Sequence, residues 1–329
     1  MRESTGLLFP GQGCAARGMG MVLADLVPAA AAIFDLARTT LGDSVLDACR
    51  RGGPDLEETL HQQPAVLACE LAHFVAWDAT NREAPAAAAG HSLGQLAALV
   101  VAGAIDVEAA FSVVGVRALA MQAAGTGAAG AMAAVLGMRA ARVREICRDA
   151  GGAVWVGGVN WVDHVVITGE RRAVVAAGHR LLEAGAARVV PLTITVAAHS
   201  PMMSTAARRL REAVSRLPIR EPHLAVPSNL DGSLLQRPEA VRRELWYGLL
   251  APVQWRSCLL TLGGLGCRRF VELAPRPTLT NLVARALPAA RVACPTGDEL
   301  ARSYGCTVRG EEERTCVRSG GSGTAGRSG

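Results

Sequence analysis

The sequence predicts an α/β fold in two parts, because two patterns of strands and helices are visible in it. In the first, the small apolar run Ala86–Ala89 ends in Gly90-x-Ser92-x-Gly94, and a helix-competent run extends from Leu96 to Ala104. Strand, sharp turn and helix in this order are typical of a nucleophile elbow. In the second, residues 131–194 follow the order β-α-β-β-α-β of a small ferredoxin-like domain.

Length and composition suit a large domain that carries a smaller one. The chain has 329 residues, half of them hydrophobic, which is enough for a sizeable core. The 34 basic residues are all arginine, and the net charge of +5 is spread along the chain without a basic run. We therefore expect no nucleic-acid site, and at most a mild preference for an acidic protein partner or an anionic substrate.

The nine cysteines are scattered and form no C-x-x-C pair. This spacing argues against a bound metal and against a disulfide framework, and it favours reduced thiols in a cytoplasm. The N-terminus lacks a basic-then-apolar signal, and no apolar run reaches the ~18 residues of a membrane span. The sequence therefore predicts a cytoplasmic protein with no membrane partner.

The elements of the first 124 residues follow from apolar periodicity and from Gly and Pro. Leu7–Phe9 is a short strand that ends in a Gly-rich loop containing Gln12. Helices are predicted at Gly20–Leu41, Ser44–Arg51 and Asp106–Met121. A further long helix is predicted to begin at Pro64.

The second half begins with a predicted hinge at Gly125–Gly130. We assign 125–194 to the small domain, and 1–124 with 195–296 to the large one. Leu224–Asn229 is a predicted strand of the large domain. The tail 297–329 is rich in Arg, Glu, Gly and Ser with almost no apolar periodicity, so we expect it to be disordered.

The elbow provides a candidate nucleophile. Side chains at Gly90 or Gly94 would collide with the flanking strand or helix, and the turn places the Ser92 hydroxyl beside a helix N-terminus that favours an oxyanion. A serine hydroxyl needs a base, and His199, flanked by small residues and Pro201, is the best candidate among seven histidines. A purely structural histidine is the alternative.

Two further residues have both a functional and an ordinary interpretation. Gln12 is either a plain loop residue or the source of a backbone N–H for an oxyanion. Arg117 lies in the apolar helical run of Val113, so it is either a solvated, snorkelling side chain or a bidentate clamp for a substrate carboxylate.

Several short motifs fall in order along the chain, and together they resemble one family. The chain is similar to the malonyl-CoA:acyl carrier protein transacylases and the related acyltransferase domains of polyketide synthases, over about residues 6 to 290. The motifs are Leu8-Phe-Pro-Gly-Gln12-Gly, Gly90-His-Ser92-Leu-Gly, Gly115-Val-Arg117, Gly130-Ala-Met-Ala-Ala-Val135, Val159-Asn160, Val165-Val-Ile-Thr-Gly169, Ala198-His199-Ser-Pro-Met-Met203 and Ala251-Pro-Val-Gln-Trp255.

The resemblance implies an α/β-hydrolase-like large subdomain with a ferredoxin-like insert and a ping-pong acyl transfer. Ser92 would be acylated from an acyl-CoA substrate and deacylated by the phosphopantetheine thiol of an acyl carrier protein, with His199 as base and no cofactor or metal of its own. The backbone N–H groups of Gln12 and Leu93 would form the oxyanion hole, and Arg117 would hold the malonyl carboxylate.

Four pocket residues follow from the same resemblance. His91 would shape the pocket rather than transfer protons, and Asn160 would brace the small domain near the cleft. The backbone carbonyl of Gly248 would orient His199, with a looser backbone than relatives that have Gln or Asn there. Ala198 stands where malonyl-selective polyketide domains tend to have Phe and methylmalonyl-selective ones Ser. The acyl selectivity therefore stays open, with malonyl as the first choice and substituted malonyl groups as the second.

Three other functions remain as alternatives at this point. The same serine and histidine could hydrolyse acyl thioesters with water as acceptor. The chain could instead be the transacylase subunit of a malonate decarboxylase, or a non-catalytic docking module, which the presence of all three functional residues argues against.

Overall fold

The large part of the molecule is built around a four-stranded parallel sheet. In the computed structural model, which describes residues 4–53, 56, 58–125, 130–308 and 314–316, the strand order is β2-β1-β7-β8. The strands are β1 Ser4–Phe9, β2 Ala87–Gly90, β7 Cys267–Glu272 and β8 Arg291–Ala293. Helices pack against this sheet, and the carboxyl end of β2 leads directly into the elbow.

The small part is a separate antiparallel sheet in the order β4-β5-β3-β6. Its strands are β3 Gly130–Leu136, β4 Val154–Trp161, β5 His164–Glu170 and β6 Arg188–Pro191. Two helices of this part cover one face of the sheet over its own apolar core. The predicted fold class, an α/β-hydrolase-like subdomain with a ferredoxin-like insert, is confirmed. Of the predicted hinge Gly125–Gly130, residues 126–129 lie outside the described residues.

The α-helices within the described residues are these: Met21–Leu26, Pro28–Leu41, Ser44–Arg51, Thr59–Asp78, Gly94–Val101, Val107–Gly125, Ala140–Asp149, Arg171–Glu183, Ser204–Ser215, Pro238–Tyr247, Trp255–Gly264, Thr280–Ala286 and Gly297–Ser303. Aromatic residues are scarce, so Leu, Val and Ala fill most of the interior. Phe9, Phe34 and Phe111 are fully buried in the main core.

Three departures from the predicted elements occur at prolines. The helix predicted over Gly20–Leu41 is two helices, because the ring of Pro28 disfavours helical backbone at Val27, whose φ and ψ are −113° and 107°. Pro64 does not open its helix, which already begins at Thr59. The strand predicted at Leu224–Asn229 is reduced to isolated bridges, since Pro227 has no N–H to donate to a ladder.

The prediction of disorder from residue 297 onward is wrong for residues 297–308. Gly297–Ser303 is a helix, because Thr296 and Glu299 form a capping box at its start. Leu300 is 3 % exposed and packs into the main core, and the Cys306 thiol donates to the carbonyl of Leu26 at 3.1 Å. A few apolar side chains are thus enough to dock this segment. Of the rest of the tail, residues 314–316 form a short strand and the others lie outside the described residues.

Among the residues that the structure describes, one helix is long and apolar enough to cross a membrane by length and composition alone, contrary to the expectation from the sequence. Val107–Gly125 has a mean hydropathy of 1.3 over its 18-residue window. It packs against Thr59–Asp78 and Ser204–Ser215, and it carries the buried Arg117. It is therefore a core helix of a soluble fold.

The edge strand β4 of the small sheet is bridged to a loop of the large part. Val253, from the large part, pairs with β4: its N–H donates to the carbonyl of Gly157 at 3.0 Å, and its carbonyl accepts from the N–H of Val159 at 2.8 Å. This pairing closes the small sheet over the elbow.

Candidate active site

Ser92 occupies a strained turn between β2 and the helix Gly94–Val101. Its φ of 56° lies in the left-handed region, which non-glycine residues rarely adopt. The flanking glycines are required by space: a Cβ on Gly90 would lie 2.0 Å from the carbonyl carbon of Gly94, and one on Gly94 would lie 2.0 Å from the carbonyl oxygen of Phe9. The local sequence therefore folds as predicted, with Ser92 at the tip of the turn.

His199 stands next to this hydroxyl. Ser92 Oγ and His199 Nε2 are 2.8 Å apart, although 107 residues separate them in the chain. On the other side of the ring, Nδ1 lies 2.7 Å from the carbonyl oxygen of Gly248. Because a carbonyl only accepts, Nδ1 carries the proton and Nε2 is left to accept one from Ser92. The carbonyl of Gly248 thus lies where the resemblance implies, and its role in orienting the ring stays a prediction.

The surroundings keep His199 neutral. Burial, followed by the positive charge of Arg117, lowers the pKa of His199 to about 4. The backbone of His199 has a φ of 61°, so both residues of the pair are held in left-handed conformations. An uncharged imidazole at neutral pH is the form that can act as a general base.

Arg117 lies in the same hollow. It is 5 % exposed, donates to Ser92 Oγ from Nη2 at 3.2 Å and donates to Gln63 Oε1 from Nη1. Burial lowers the pKa of Arg117 to about 10, which still leaves the guanidinium charged at neutral pH. A small cavity borders Ser92, Arg117 and His199, and Leu96 and Val113 line its apolar side. The site is therefore shaped for a short group that ends in an anion.

The loop after β1 packs directly on the elbow. A Cβ on Gly11 would lie 2.8 Å from the His91 carbonyl oxygen and 3.2 Å from Leu93 Cβ. The side chain of Gln12 is turned toward Gln62, to which its Nε2 donates at 2.8 Å. Within the described part of the chain, the backbone N–H groups of Gln12 and Leu93 make no hydrogen bond. Their use as oxyanion donors stays a prediction.

A second cavity, of about 640 Å³, meets the first at Ser92 and His199. It lies between the two parts of the molecule and is lined by His91, Asn160 and Ala198, among others. His91 Nε2 and Asn160 Oδ1 are 3.0 Å apart, which connects the elbow to β4 of the small sheet. Burial lowers the pKa of His91, so this ring too is uncharged at neutral pH. Ser92 thus stands on the wall shared by two cavities.

Asn229 is a residue that the sequence did not single out. Its Oδ1 accepts from the N–H of Ser92 at 2.8 Å, and its Nδ2 donates to the carbonyl of Gly90 at 2.8 Å. Its own N–H donates to the buried carboxylate of Glu244 at 2.6 Å, whose other oxygen accepts from Ser228 Oγ at 2.6 Å. Burial raises the pKa of Glu244 to about 7. The only signal in the sequence is a polar residue ending an apolar run.

A second buried carboxylate supports the Gly-rich loop. Glu70 Oε1 accepts from the N–H of Gly11 at 2.7 Å, while Oε2 is buried without a partner in the described structure. Burial raises the pKa of Glu70 to about 8, so the carboxyl is largely protonated at neutral pH. Glu70 therefore holds the loop that carries Gln12 without placing a full charge in the core.

Metal chemistry has no candidate ligands in this region. Among the residues that the structure describes, no group of three His, Cys, Asp or Glu side chains is placed to hold a metal ion. The site consists of a hydroxyl, a neutral imidazole, a guanidinium and two free backbone N–H groups.

Comparison with known proteins gives a consistent result. The profile of the acyl transferase domain family matches residues 7–299. The chain is 34 % identical to the malonyl CoA-acyl carrier protein transacylase of Escherichia coli (strain K12) over 281 residues, which cover 84 % of this chain and 91 % of that one. It is 33 % identical to the same enzyme of Bacillus subtilis (strain 168) over 282 residues, with 84 % and 89 % covered.

Solved structures agree with the sequence comparison. The malonyl CoA-acyl carrier protein transacylase of Coxiella burnetii superposes with a TM-score of 0.87 at 31 % identity, covering 92 % of this chain and 97 % of that one. A malonyl-transacylase in complex with its type II polyketide acyl-carrier protein gives a TM-score of 0.86 at 31 % identity, covering 92 % and 99 %.

Proposed function

This chain belongs to the malonyl-CoA:acyl carrier protein transacylase family, and from that premise we propose that it transfers a malonyl (or substituted malonyl) group from CoA to the phosphopantetheine thiol of an acyl carrier protein. The observation that carries the proposal is the placement of Ser92 Oγ 2.8 Å from His199 Nε2 and 3.2 Å from Arg117 Nη2. A nucleophile, a neutral base and a cation thus face one small cavity.

In the first half-reaction Ser92 takes the acyl group. His199 Nε2 accepts the hydroxyl proton as Oγ bonds to the thioester carbon, and the carbonyl oxygen becomes an oxyanion. The N–H groups of Gln12 and Leu93 would donate to that oxyanion, each contributing roughly 3 to 4 kcal/mol in comparable sites. The C–S bond then breaks, and the departing CoA sulfur takes the proton from His199.

Arg117 gives the reaction its preference for an acid-bearing acyl group. The far carboxylate of malonyl would accept two parallel N–H bonds from the guanidinium, in the geometry that suits carboxylates. Since Arg117 is buried, an acyl group without this carboxylate would leave a cation without its counter-ion.

In the second half-reaction the carrier protein supplies the acceptor. Its phosphopantetheine thiol would approach the acyl group on Ser92 and give its proton to His199. The sulfur bonds to the acyl carbon, and Ser92 Oγ leaves and takes that proton back. CoA and the carrier protein bring all the groups that react, so the transfer needs no further cofactor.

We place the reaction in the cytoplasm. Within the described residues no disulfide joins any pair of cysteines, which suits a reducing compartment.

The test is intact-mass spectrometry after exposure to malonyl-CoA. The parent protein should gain one malonyl group, Ser92→Ala should gain none, and holo-carrier protein should discharge the acyl-enzyme and become malonylated itself. Release of free malonate at a rate that the carrier protein does not change would identify a hydrolase instead and refute the transfer.

A further inference from the structure

A groove beside the active site has a basic wall that no step above uses. It is open to solvent on one side, and His199 forms part of its lining. Arg144 and Arg148 line it as well, both from the helix Ala140–Asp149 of the small part. The groove therefore connects the catalytic base with two guanidinium groups on the surface.

The two arginines point to the same side of their helix. They are four residues apart, which places them on one helical face, and both are exposed. Arg144 makes no ion pair within the described residues, and Arg148 has only a 3.4 Å contact from Nε to the neighbouring Asp149. No Asp or Glu is among the described residues that line the groove. The charge of Arg144 is therefore without an ion-pair partner among the described residues, and that of Arg148 is shared only with Asp149.

The rest of the groove suits an extended, slender ligand. Gly151 and Gly152 form part of it, and a Cβ on Gly151 would meet nothing within 4 Å, so the space there is open. Trp155, Leu250 and Pro252 provide apolar parts of the same lining. An arm that carries a thiol at one end and an anion at the other would match a groove that holds both His199 and two guanidinium groups.

We propose that Arg144 and Arg148 bind the phosphate of the phosphopantetheine arm, which CoA and the carrier protein have in common. The inference rests on the proposed function and extends it to a second site. Guanidinium groups match phosphate oxygens with paired N–H bonds, and two of them on adjacent helical turns would hold the phosphate while the sulfur lies at Ser92. One site thus serves both half-reactions.

The test compares malonyl donors that differ in their phosphates. Arg144→Ala combined with Arg148→Ala is assayed for Ser92 acylation with malonyl-pantetheine, malonyl-phosphopantetheine and malonyl-CoA. Arg142→Ala is the matched control, because Arg142 is an exposed arginine of the same helix that pairs with Glu145 at 2.8 Å and does not line the groove.

We expect kcat/KM of the double variant to fall about tenfold or more with both phosphate-bearing donors, and to stay unchanged with malonyl-pantetheine. The control should match the parent protein with all three donors. An equal fall with malonyl-pantetheine, or no fall with malonyl-phosphopantetheine, would overturn the assignment.

The second half-reaction shows whether the two arginines bind the phosphate of the arm or the surface of the carrier protein. Discharge of the malonyl-enzyme by free phosphopantetheine and by holo-carrier protein should slow by similar factors in the double variant. A fall with the holo-carrier protein alone would mean that the arginines contact the protein rather than its arm, and would overturn the proposal. If the parent protein is not labelled at Ser92 even by malonyl-CoA, the transfer itself fails, which is a different result.

Discussion

Replacing Arg117 by alanine should change which acyl group the enzyme accepts. In the parent protein the guanidinium is 95 % covered and has two polar neighbours, Ser92 Oγ and Gln63 Oε1, neither of which is charged. A malonyl carboxylate is thus the counter-ion that the site lacks. We expect Arg117→Ala to lose malonyl loading and to gain acetyl loading.

The size of the effect follows from burial. In Arg117→Ala a substrate carboxylate would enter the cavity without a partner, and an uncompensated buried charge costs about 3 to 5 kcal/mol. Since each 1.4 kcal/mol is tenfold in rate, kcat/KM for malonyl-CoA should fall between about a hundredfold and a few thousandfold. Acetyl-CoA should load faster than in the parent, because no cation then has to be buried without its counter-ion.

The assay is the time course of acyl-enzyme formation by intact mass, with malonyl-CoA and acetyl-CoA in parallel. Arg117→Lys is the control for charge alone: it keeps a cation but lacks the planar fork, so it should retain part of the malonyl preference. The positive charge of Arg117 also lowers the pKa of His199, so removing it should raise that pKa. In Arg117→Ala the fall in the rate of acetyl loading at acidic pH should therefore begin at a higher pH.

Equal losses for both acyl groups in Arg117→Ala would refute this reasoning, since they would show that the arginine acts on Ser92 and not on the substrate. Equal loading of malonyl and acetyl by the parent protein would contradict it as well.

Two further predictions concern buried polar groups. Asn229→Ala leaves the Ser92 N–H and the Gly90 carbonyl unpaired, so reaction of Ser92 with an organofluorophosphonate should slow about 10- to 100-fold; an unchanged rate would exclude a positioning role. Glu70 has a pKa raised to about 8, so its contribution to stability is present below its unfolded pKa and is lost as pH rises through 8. In urea unfolding, the free energy of unfolding of Glu70→Gln should therefore rise by roughly 2 to 3 kcal/mol relative to that of the parent protein between pH 6 and 9. If the two free energies of unfolding depend on pH in the same way, the burial of a protonated carboxyl is contradicted.

What could be predicted from sequence was mostly local. Gly90 and Gly94 determine the elbow because their contacts are with residues a few positions away or with the adjacent strand. The pairing of Ser92 with His199 depended on the resemblance to a known family, since spacing alone does not bring together residues 107 apart. Asn229 was missed for the same reason, at a separation of 137 residues.

The disorder predicted for the tail was wrong for a different reason. Thr296-x-x-Glu299 is a capping-box pattern that is visible in the sequence, but composition was given more weight than this short signal. Leu300 and Cys306 then dock because the core of the large part offers them a place, which apolar periodicity in the tail itself does not reveal.

The bridge between Val253 and β4 attaches the small sheet to the same short segment of chain that carries the carbonyl beside His199. Val253 lies five residues after Gly248, whose carbonyl lies beside the ring of His199. A displacement of the small sheet relative to the large part would have to break the two hydrogen bonds of Val253 or shift the segment that leads to Gly248. Slow amide exchange at Val159 and Val253 would show that this bridge persists in solution.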